Sequence, residues 1–445
     1  MDVQTLFSQI KDEFVKKTER SAAYYQQALA VMPGGNTRTV NFHHPYLLSI
    51  EKGQGALIWD ADGNKYIDFV NNYTSLIHGH SHPQVLEKIN DTLPWGTSYG
   101  ALIPEQVELA EVIKSRIKSI ELIRFCNSGT EAALFGIRLA RAYTKRPAII
   151  KISGGYHGAY DDVEGLVGQQ LVGDQLTRTD TLDKGIPTAV ADQVYEVPFN
   201  DLEAMETVLK KYHQQVAAMI VEPMLGAGGV IPPQEGYLSG LRQLADRYNV
   251  LLIFDEVQTF RLSTGGAQEK YNVSADITIL GKIIGGGFPI GAFGGKEEIM
   301  ALLDQNKGGS LTHNGTHNGN RISMAAGLAT LQLFQQKEID QLERLSEKLH
   351  NGLNELIAKY ALPACVTREG SLLNLHFVKT LPTNYEETHS PLNELRALVH
   401  LDLLNHGIFT MPRGMLNLST AITAEQIETT IKVFDEVMGK LSKVV

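Results

Sequence analysis

The sequence predicts an α/β protein: a large, mostly parallel sheet domain, with a smaller α+β domain built from both termini. Three observations predict it. Strand-like and helix-like patterns alternate at the spacing of βαβ units from about residue 70 to residue 325. Strand candidates in that stretch are short continuous apolar runs, the pattern of strands covered on both faces. On either side of it the pattern returns to amphipathic helices and short alternating strands. The expected division is 1–69, 70–325 and 326–445, the two outer segments combining into one smaller domain.

In chain order, residues 3–31 read as an amphipathic helix with Phe7, Ile10 and Phe14 on one side, and Pro33-Gly34-Gly35-Asn36 ends it. The segment TRTVNF, carrying Arg38, alternates as an extended stretch. ALIWDADGNKYIDF reads as a hairpin around Asp60-Ala61-Asp62-Gly63. The large domain then offers strands at Ile123–Cys126, Ala148–Ile152, Ala217–Val221, Val250–Phe254 and Ile277–Leu280. Between them lie helices at Ala132–Tyr143, Asp201–Tyr212 and Leu238–Tyr248. Beyond residue 325, the spacing of Leu342, Leu345, Leu349, Leu353 and Leu356 marks a helix, Leu373–Val378 alternates like a strand, and Ala424–Leu441 is helical again.

Composition narrows the class. A net charge of -10 argues against a nucleic-acid or anionic-membrane surface. Two cysteines, Cys126 and Cys365, do not make a disulfide framework and fit a reducing compartment. No apolar run approaches the ~18 residues of a membrane span, and the N-terminus lacks the pattern of a secretory signal. A cytoplasmic protein is expected.

The chemistry concentrates at strand ends. Val250–Phe254 runs into Asp255 and Glu256; Ile277–Leu280 runs into Gly281-Lys282 and three glycines. In open α/β sheets ligands bind beyond the carboxyl ends of the strands. An acid and an amine at one such crevice are the two protein groups that pyridoxal phosphate chemistry needs, one to hold the ring nitrogen and one to react with the aldehyde. The same pair is equally compatible with a surface lysine and a loop acid. Asn127-Ser128-Gly129-Thr130-Glu131 joins a strand to a helix: Ser128 and Glu131 have capping-box spacing, and the helix start suits an anion such as phosphate. A plain helix cap is the commoner meaning of that pattern. Tyr156, between glycines after the next strand, can stack on a flat heterocycle or be a structural tyrosine. Glu222 ends a further strand. His313 and His317 sit in a glycine-broken loop, and His78, His80 and His82 alternate without an acid or cysteine partner nearby. Neither set suggests a metal. Thr316 offers a hydroxyl for phosphate. Arg38 and Arg413, the latter in Met411-Pro412-Arg413-Gly414, have the fork that holds a carboxylate by two parallel hydrogen bonds.

Taken together, MPGGNTR, LIWDADGNKYIDF, NSGTEA, GGYHG, VEPM, LLIFDEVQT, ILGKIIGGGFPIGAFGG and NGTHNGN make the chain resemble, over nearly its whole length, the class III, fold-type I pyridoxal-phosphate enzymes. The branch is the one containing glutamate-1-semialdehyde aminomutase. Within it, FDEVQTFRL and MPRGMLNLS look more like the aminotransferases of β-amino acids such as β-phenylalanine. The resemblance implies a seven-stranded, mostly parallel large domain and pyridoxal 5'-phosphate as cofactor. It implies Lys282 as the Schiff-base lysine and proton shuttle, Asp255 at the pyridinium nitrogen and Tyr156 stacked on the ring. His157 and Glu222 join the cofactor site, and Ser128, Gly129 and Thr130 cradle the phosphate. Thr316 would reach the phosphate of a neighbouring subunit's cofactor, which implies a homodimer with shared sites. Arg38 would hold the substrate carboxylate and Arg413 the second carboxylate of an acceptor such as 2-oxoglutarate. The expected partners are a small amino acid and a keto acid. One departure stands out: Leu225 follows VEPM where many class III enzymes carry a glutamine, and Ala227 stands where the aminomutases have an asparagine. The expected reaction is amino transfer from a β-amino acid. Isomerisation by an aminomutase or racemase is the alternative, and a non-catalytic role is disfavoured by the presence of both Asp255 and Lys282.

Overall fold

The computed structural model describes residues 2–164, 168–172, 175–178 and 185–445. The chain divides into two units, one of residues 1–82, 340–382 and 387–445, the other of residues 83–339 and 383–386.

The second unit is organised around one sheet. Its strands lie in the order Leu122–Cys126, Gly291–Gly295, Ile277–Gly281, Leu251–Asp255, Val216–Val221, Ala148–Ile152, Val194–Val197, Gln169–Val172 and Gln175–Arg178. Pairing is parallel from Ile277–Gly281 through to Gln169–Val172. It is antiparallel at both edges. Among the described residues the sheet has nine strands against the seven expected, because the hairpin of Gln169–Val172 and Gln175–Arg178 extends one edge.

Alternation along each strand divides the apolar side chains between two cores. Ile150, Ile152, Leu252 and Phe254 pack with Met205, Val208 and Leu209 of the helix Leu202–Tyr212 and with Leu241 and Ala245 of Tyr237–Tyr248. Ile149, Ile253, Ile277 and Phe293 pack on the other face, against Ala132, Ala133, Ile137 and Ala140 of the helix Gly129–Thr144. Both faces of the central strands are therefore covered, which is why they read as unbroken apolar runs. Strand and helix ends fall within a few residues of the sequence-based expectations. The strand Gly291–Gly295 was not among them: GAFGG has almost no β-forming side chains.

In the first unit, Leu57–Asp60 and Lys65–Asp68 form the expected hairpin, joined by Ile50–Gln54 on one side. On the other, Ile408–Phe409 pairs in parallel with Lys65–Asp68, so residues from both ends of the chain share one sheet. A second sheet contains Cys365–Glu369, Leu372–His376 and Met415–Asn417. Helices Val3–Lys17, Leu395–Asn405 and Ala424–Leu441 complete the α+β unit. Residues 3–31 form two helices rather than one, Val3–Lys17 and Glu19–Leu29, with Thr18 bonded through its hydroxyl to Phe14 O between them. The segment after Arg38 is also not extended. Asn36 Oδ1 accepts the Arg38 N–H, and Thr39–Asn41 closes a 3-10 turn through Asn41 N–H to Arg38 O. A side-chain acceptor two residues back gives the backbone a turn in place of a strand ladder.

Candidate active site

Two neighbouring strands set the site. Leu251–Asp255 and Ile277–Gly281 run parallel with Asp255 opposite Ile279, so both deliver their next residues to the same edge of the sheet. Asp255 is the last residue of its strand and 4 % exposed. Lys282 follows Gly281 directly and is half-buried. Its backbone is left-handed, φ +50°, an uncommon conformation for a residue with a side chain. Such positions gather where surrounding structure overrides local preference, often at functional sites.

Asp255 is held from two sides. His157 Nδ1 donates to Asp255 Oδ2 at 2.9 Å, and Val257 N–H donates to Oδ1 at 3.0 Å. Glu222, at the end of Val216–Val221, accepts the Tyr156 N–H on Oε1 at 2.9 Å and the Gly226 N–H on Oε2 at 3.2 Å. Burial pushes the Glu222 carboxyl up to about 7; the Asp255 charge adds to the rise, and His157, the Tyr156 N–H and Lys282 oppose it. Burial pushes the Lys282 amine down to about 8, with the Arg261 charge helping and Asp255 and Glu222 opposing. His157, Glu222, Asp255 and Lys282 thus form one electrostatic cluster. Glu256 is not part of it. Its carboxylate is buried and accepts from the Thr259 hydroxyl and from the Ala267 and Gln268 N–H groups, which fixes the turn after the strand.

A second loop lies against the first. Ser128 caps the helix Gly129–Thr144, its hydroxyl accepting the Glu131 N–H at 3.1 Å. The reciprocal half of the expected capping box differs: Glu131 Oε2 accepts from the N–H of Asn127, one residue earlier, at 2.7 Å. That leaves the Ser128-Gly129-Thr130 turn at the positive end of a helix, which suits an anion. Thr130 Oγ1 accepts the Ala159 N–H at 3.2 Å, and a Cβ on Gly158 would lie 2.6 Å from Thr130 Cα. The loop with Tyr156 and the helix start are therefore packed together. The Tyr156 side chain is half exposed.

Thr316 is exposed in a turn near Asn318. Asn318 Oδ1 accepts from Asn127 Nδ2 at 2.9 Å, so this turn is tied to the helix-start loop. His313 packs edge-on against Phe135 and Phe293, a reason for its place in the loop that involves no metal. His80 bonds Asp68 and His78 bonds Thr420, both within the first unit. Arg38 and Arg413 also belong to the first unit. The Arg38 guanidinium lies 5.9 Å from the centre of the Tyr73 ring. Burial raises the Tyr73 hydroxyl pKa while the charges of Arg413 and Arg38 lower it, so both arginines act on one phenol.

Pyridoxal 5'-phosphate presents a ring nitrogen, an aldehyde, a phenolic oxygen and a phosphate, and the second unit has a matching group for the first, the second and the last. Asp255 offers a carboxylate, Lys282 an amine of lowered pKa, and residues 128–130 free helix-start donors. His157 Nε2 and Gln258 Oε1 are buried polar atoms without a protein partner among the described residues. Gln258 lies at the corner made by Glu222 and Gly226: a Cβ on Gly226 would sit 2.6 Å from its Oε1 and 2.9 Å from Glu222 Oε2. Leu225, by contrast, is fully buried in the core and paired with Ile231 through the backbone. The sequence gives no role to Gln258, to Arg261 as a neighbour of Lys282, or to Asn127 within its motif. The first two follow Asp255 within six residues, but nothing in a string of polar residues tells which turn back toward the strand end and which, like Glu256, turn away.

Known proteins agree with this architecture. Residues 39–445 match the family Aminotransferase class-III. A glutamate-1-semialdehyde 2,1-aminomutase from Natranaerobius thermophilus is 39 % identical over 95 % of this chain and 99 % of its own. A β-phenylalanine aminotransferase from Variovorax paradoxus superposes with a TM-score of 0.90 at 34 % identity, covering 98 % of this chain and 97 % of that one. A transaminase solved with pyridoxal phosphate bound superposes with a TM-score of 0.88 at 35 % identity over 96 % of this chain and 98 % of that one. An acid and an amine at adjoining strand ends, a helix-start anion site beside them, and a match over 407 of 445 residues lead to one conclusion: the chain belongs to the class III aminotransferase family, fold-type I enzymes whose cofactor is pyridoxal 5'-phosphate.

Proposed function

We propose that the protein is an aminotransferase that moves the amino group of a β-amino acid, aromatic or aliphatic, to a 2-oxo acid such as 2-oxoglutarate. The observation that carries this reading is the pair Arg38 and Arg413 around Tyr73. Among the described residues neither arginine forms an ion pair, so two guanidiniums are available for carboxylates. A reaction that alternates a monocarboxylate donor with a dicarboxylate acceptor needs that capacity.

The bound cofactor supplies an electron sink that lets a C–H bond beside the amine break heterolytically. Asp255, itself held by His157, would hold the ring nitrogen. Lys282, its pKa lowered toward the working range by burial, carries the proton removed from the amine-bearing carbon. Ser128, Gly129 and Thr130 would hold the phosphate, and Tyr156 would stack on the ring. Arg38 receives the donor carboxylate and Arg413 the second carboxylate of the acceptor. The working form is a homodimer in which Thr316 serves the partner's site.

A second reading is an aminomutase, supported by the 39 % identity to glutamate-1-semialdehyde 2,1-aminomutase over nearly the whole chain. An amino-donor screen separates the two. Aminotransfer gives one equivalent of glutamate for each amino acid consumed, and only with 2-oxoglutarate present. Conversion of glutamate-1-semialdehyde without an acceptor, and no glutamate from any β-amino acid, overturns the aminotransferase reading.

A further inference from the structure

Four consecutive residues of the first unit, Asn71, Asn72, Tyr73 and Thr74, have left-handed backbones, with φ of +45°, +47°, +54° and +73°. None is glycine. Single asparagines visit this region readily, but an aromatic and a β-branched residue in succession do so rarely. The turn is also poorly satisfied: Asn71 Oδ1 and Thr74 Oγ1 are buried without a hydrogen-bond partner among the described residues. Something outside it imposes the conformation. Asp68 Oδ1 accepts the N–H groups of Val70 and Asn71 at 2.7 and 3.0 Å, and its Oδ2 is held by His80 at 2.7 Å. Asn71 Nδ2 donates to Asn417 O at 2.8 Å, and Asn417 Nδ2 donates back to Val70 O at 2.5 Å.

The outer side of this turn meets Arg38. Asn72 Oδ1 accepts from Arg38 Nη1 at 2.9 Å. The next residue, Tyr73, lies beside the same guanidinium. Its hydroxyl donates at 2.7 Å to Asn41 Oδ1, on the short turn that follows Arg38. In an extended chain two successive side chains point to opposite sides, so Asn72 and Tyr73 could not both reach one arginine. The left-handed turn brings them to the same place. The acceptor it offers is an amide, which fixes the direction of the guanidinium without neutralising it. A carboxylate there would compete with any anionic ligand.

We propose that the Asn71–Thr74 turn is the positioning element of the carboxylate receptor, with Asn72 the residue that aims Arg38 and so selects amino donors bearing a carboxylate over plain amines. The proposal rests on the reading of Arg38 as a carboxylate receptor. It is tested on the holoenzyme with Asn72→Gly and Asn72→Ala. Glycine removes the left-handed penalty along with the amide, and this offsets the loss of the amide's exposed bond to Ser75 Oγ, so a purely structural turn is served about as well as by asparagine.

Calorimetric titration with 3-phenylpropanoate, an unreactive carboxylate, reads binding directly. The ratio of kcat/KM for β-phenylalanine over 1-phenylethylamine reads selectivity. We expect both variants to weaken 3-phenylpropanoate binding about tenfold, near 1.4 kcal/mol. The selectivity ratio should fall by a similar factor, with the visible absorbance of the bound cofactor unchanged and the melting temperature of Asn72→Gly no lower than that of the parent. An Asn72→Gly enzyme that binds 3-phenylpropanoate as tightly as the parent overturns the proposal. Arg38→Ala separates the two claims: if it abolishes carboxylate binding while Asn72→Gly does not, only the role of the turn fails, and if Arg38→Ala has no effect, the reading of Arg38 fails with it.

Discussion

His157 Nδ1 donates a hydrogen bond of 2.9 Å to Asp255 Oδ2, and both groups are nearly inaccessible to solvent. The Val257 N–H donates to the other oxygen of that carboxylate at 3.0 Å. In the role proposed for Asp255, holding a protonated ring nitrogen, the carboxylate is thereby fixed in direction before any ligand arrives, which is preorganisation of the kind that makes buried electrostatics effective.

Removing the imidazole therefore acts through Asp255. A buried acceptor left without its donor costs about 1–3 kcal/mol, so His157→Ala is expected to weaken cofactor affinity roughly tenfold to a hundredfold. Asp255→Asn, which keeps shape and removes the charge, should lower kcat by at least about a hundredfold. Cofactor titration followed by fluorescence, together with steady-state rates at saturating cofactor, measures both. Equal cofactor affinity in His157→Ala and the parent would show that the imidazole does not position Asp255.

Arg261 gives a second prediction. It is 2 % exposed, and its positive charge helps keep the Lys282 amine near 8. Replacing it with methionine keeps much of the packing volume and removes the charge, so the Lys282 pKa should rise, by about one unit given the usual range for a nearby charge. The rate at which cofactor-free protein captures pyridoxal 5'-phosphate depends on the neutral amine, and its pH midpoint should move upward accordingly. An unmoved midpoint would assign the lowered pKa to burial alone.

These residues were unequally visible in the chain. Asp255 and Lys282 stood out because each ends a buried apolar run, and a run covered on both faces can be recognised without knowing its neighbours. The strand Gly291–Gly295 could not be recognised that way, because its sequence is set by close approach: Cβ atoms at 291, 294 and 295 would lie 1.9, 2.6 and 2.2 Å from carbonyl oxygens of Ser128, Leu122 and Asp276. Such contacts join segments far apart in sequence. Asn71–Thr74 was hidden for the opposite reason. Its conformation is imposed by Asp68 and Asn417 against the preference of its own residues, so no local pattern announces it. The carboxylate of Glu131 was assigned to the wrong backbone group by one residue, because capping spacing cannot tell Ser128 N–H from Asn127 N–H.

The close approach at Gly291 is itself testable. A methyl group there would overlap the Ser128 carbonyl, which belongs to the loop that starts the helix Gly129–Thr144, the proposed phosphate site. Gly291→Ala should cost about 1–3 kcal/mol, the range for overpacking a tight core. Because the displaced atom is backbone of the Ser128 loop, affinity of the cofactor-free protein for inorganic phosphate should fall as well. Urea unfolding and phosphate titration give the two numbers. A stable variant with unchanged phosphate affinity would mean that the loop yields without disturbing its donors.

Glu222 links the site to the stability of the cofactor-free protein. Burial lifts its carboxyl to about 7 in the folded state from 4.5. Folded protein then binds the proton more readily than unfolded protein does, so this group favours folding fully below pH 4.5 and loses that contribution as pH rises toward 7. At about 1.4 kcal/mol per unit, the loss across the window is roughly 3–4 kcal/mol. Lys282 does not mask it: an amine lowered to about 8 from 10.5 changes its contribution only above the Glu222 window. Glu222→Gln has no proton to gain; it keeps an acceptor for one of the Tyr156 and Gly226 N–H groups and sets its NH2 against the other, a cost that does not vary with pH and leaves the slope readable. The variant should therefore lack the decline in stability between pH 5 and 7, and the parent-minus-variant difference should shrink steadily over that range. Unfolding free energies from urea titrations at pH 5, 6 and 7 measure it, and parallel curves for the two proteins would place the Glu222 proton elsewhere.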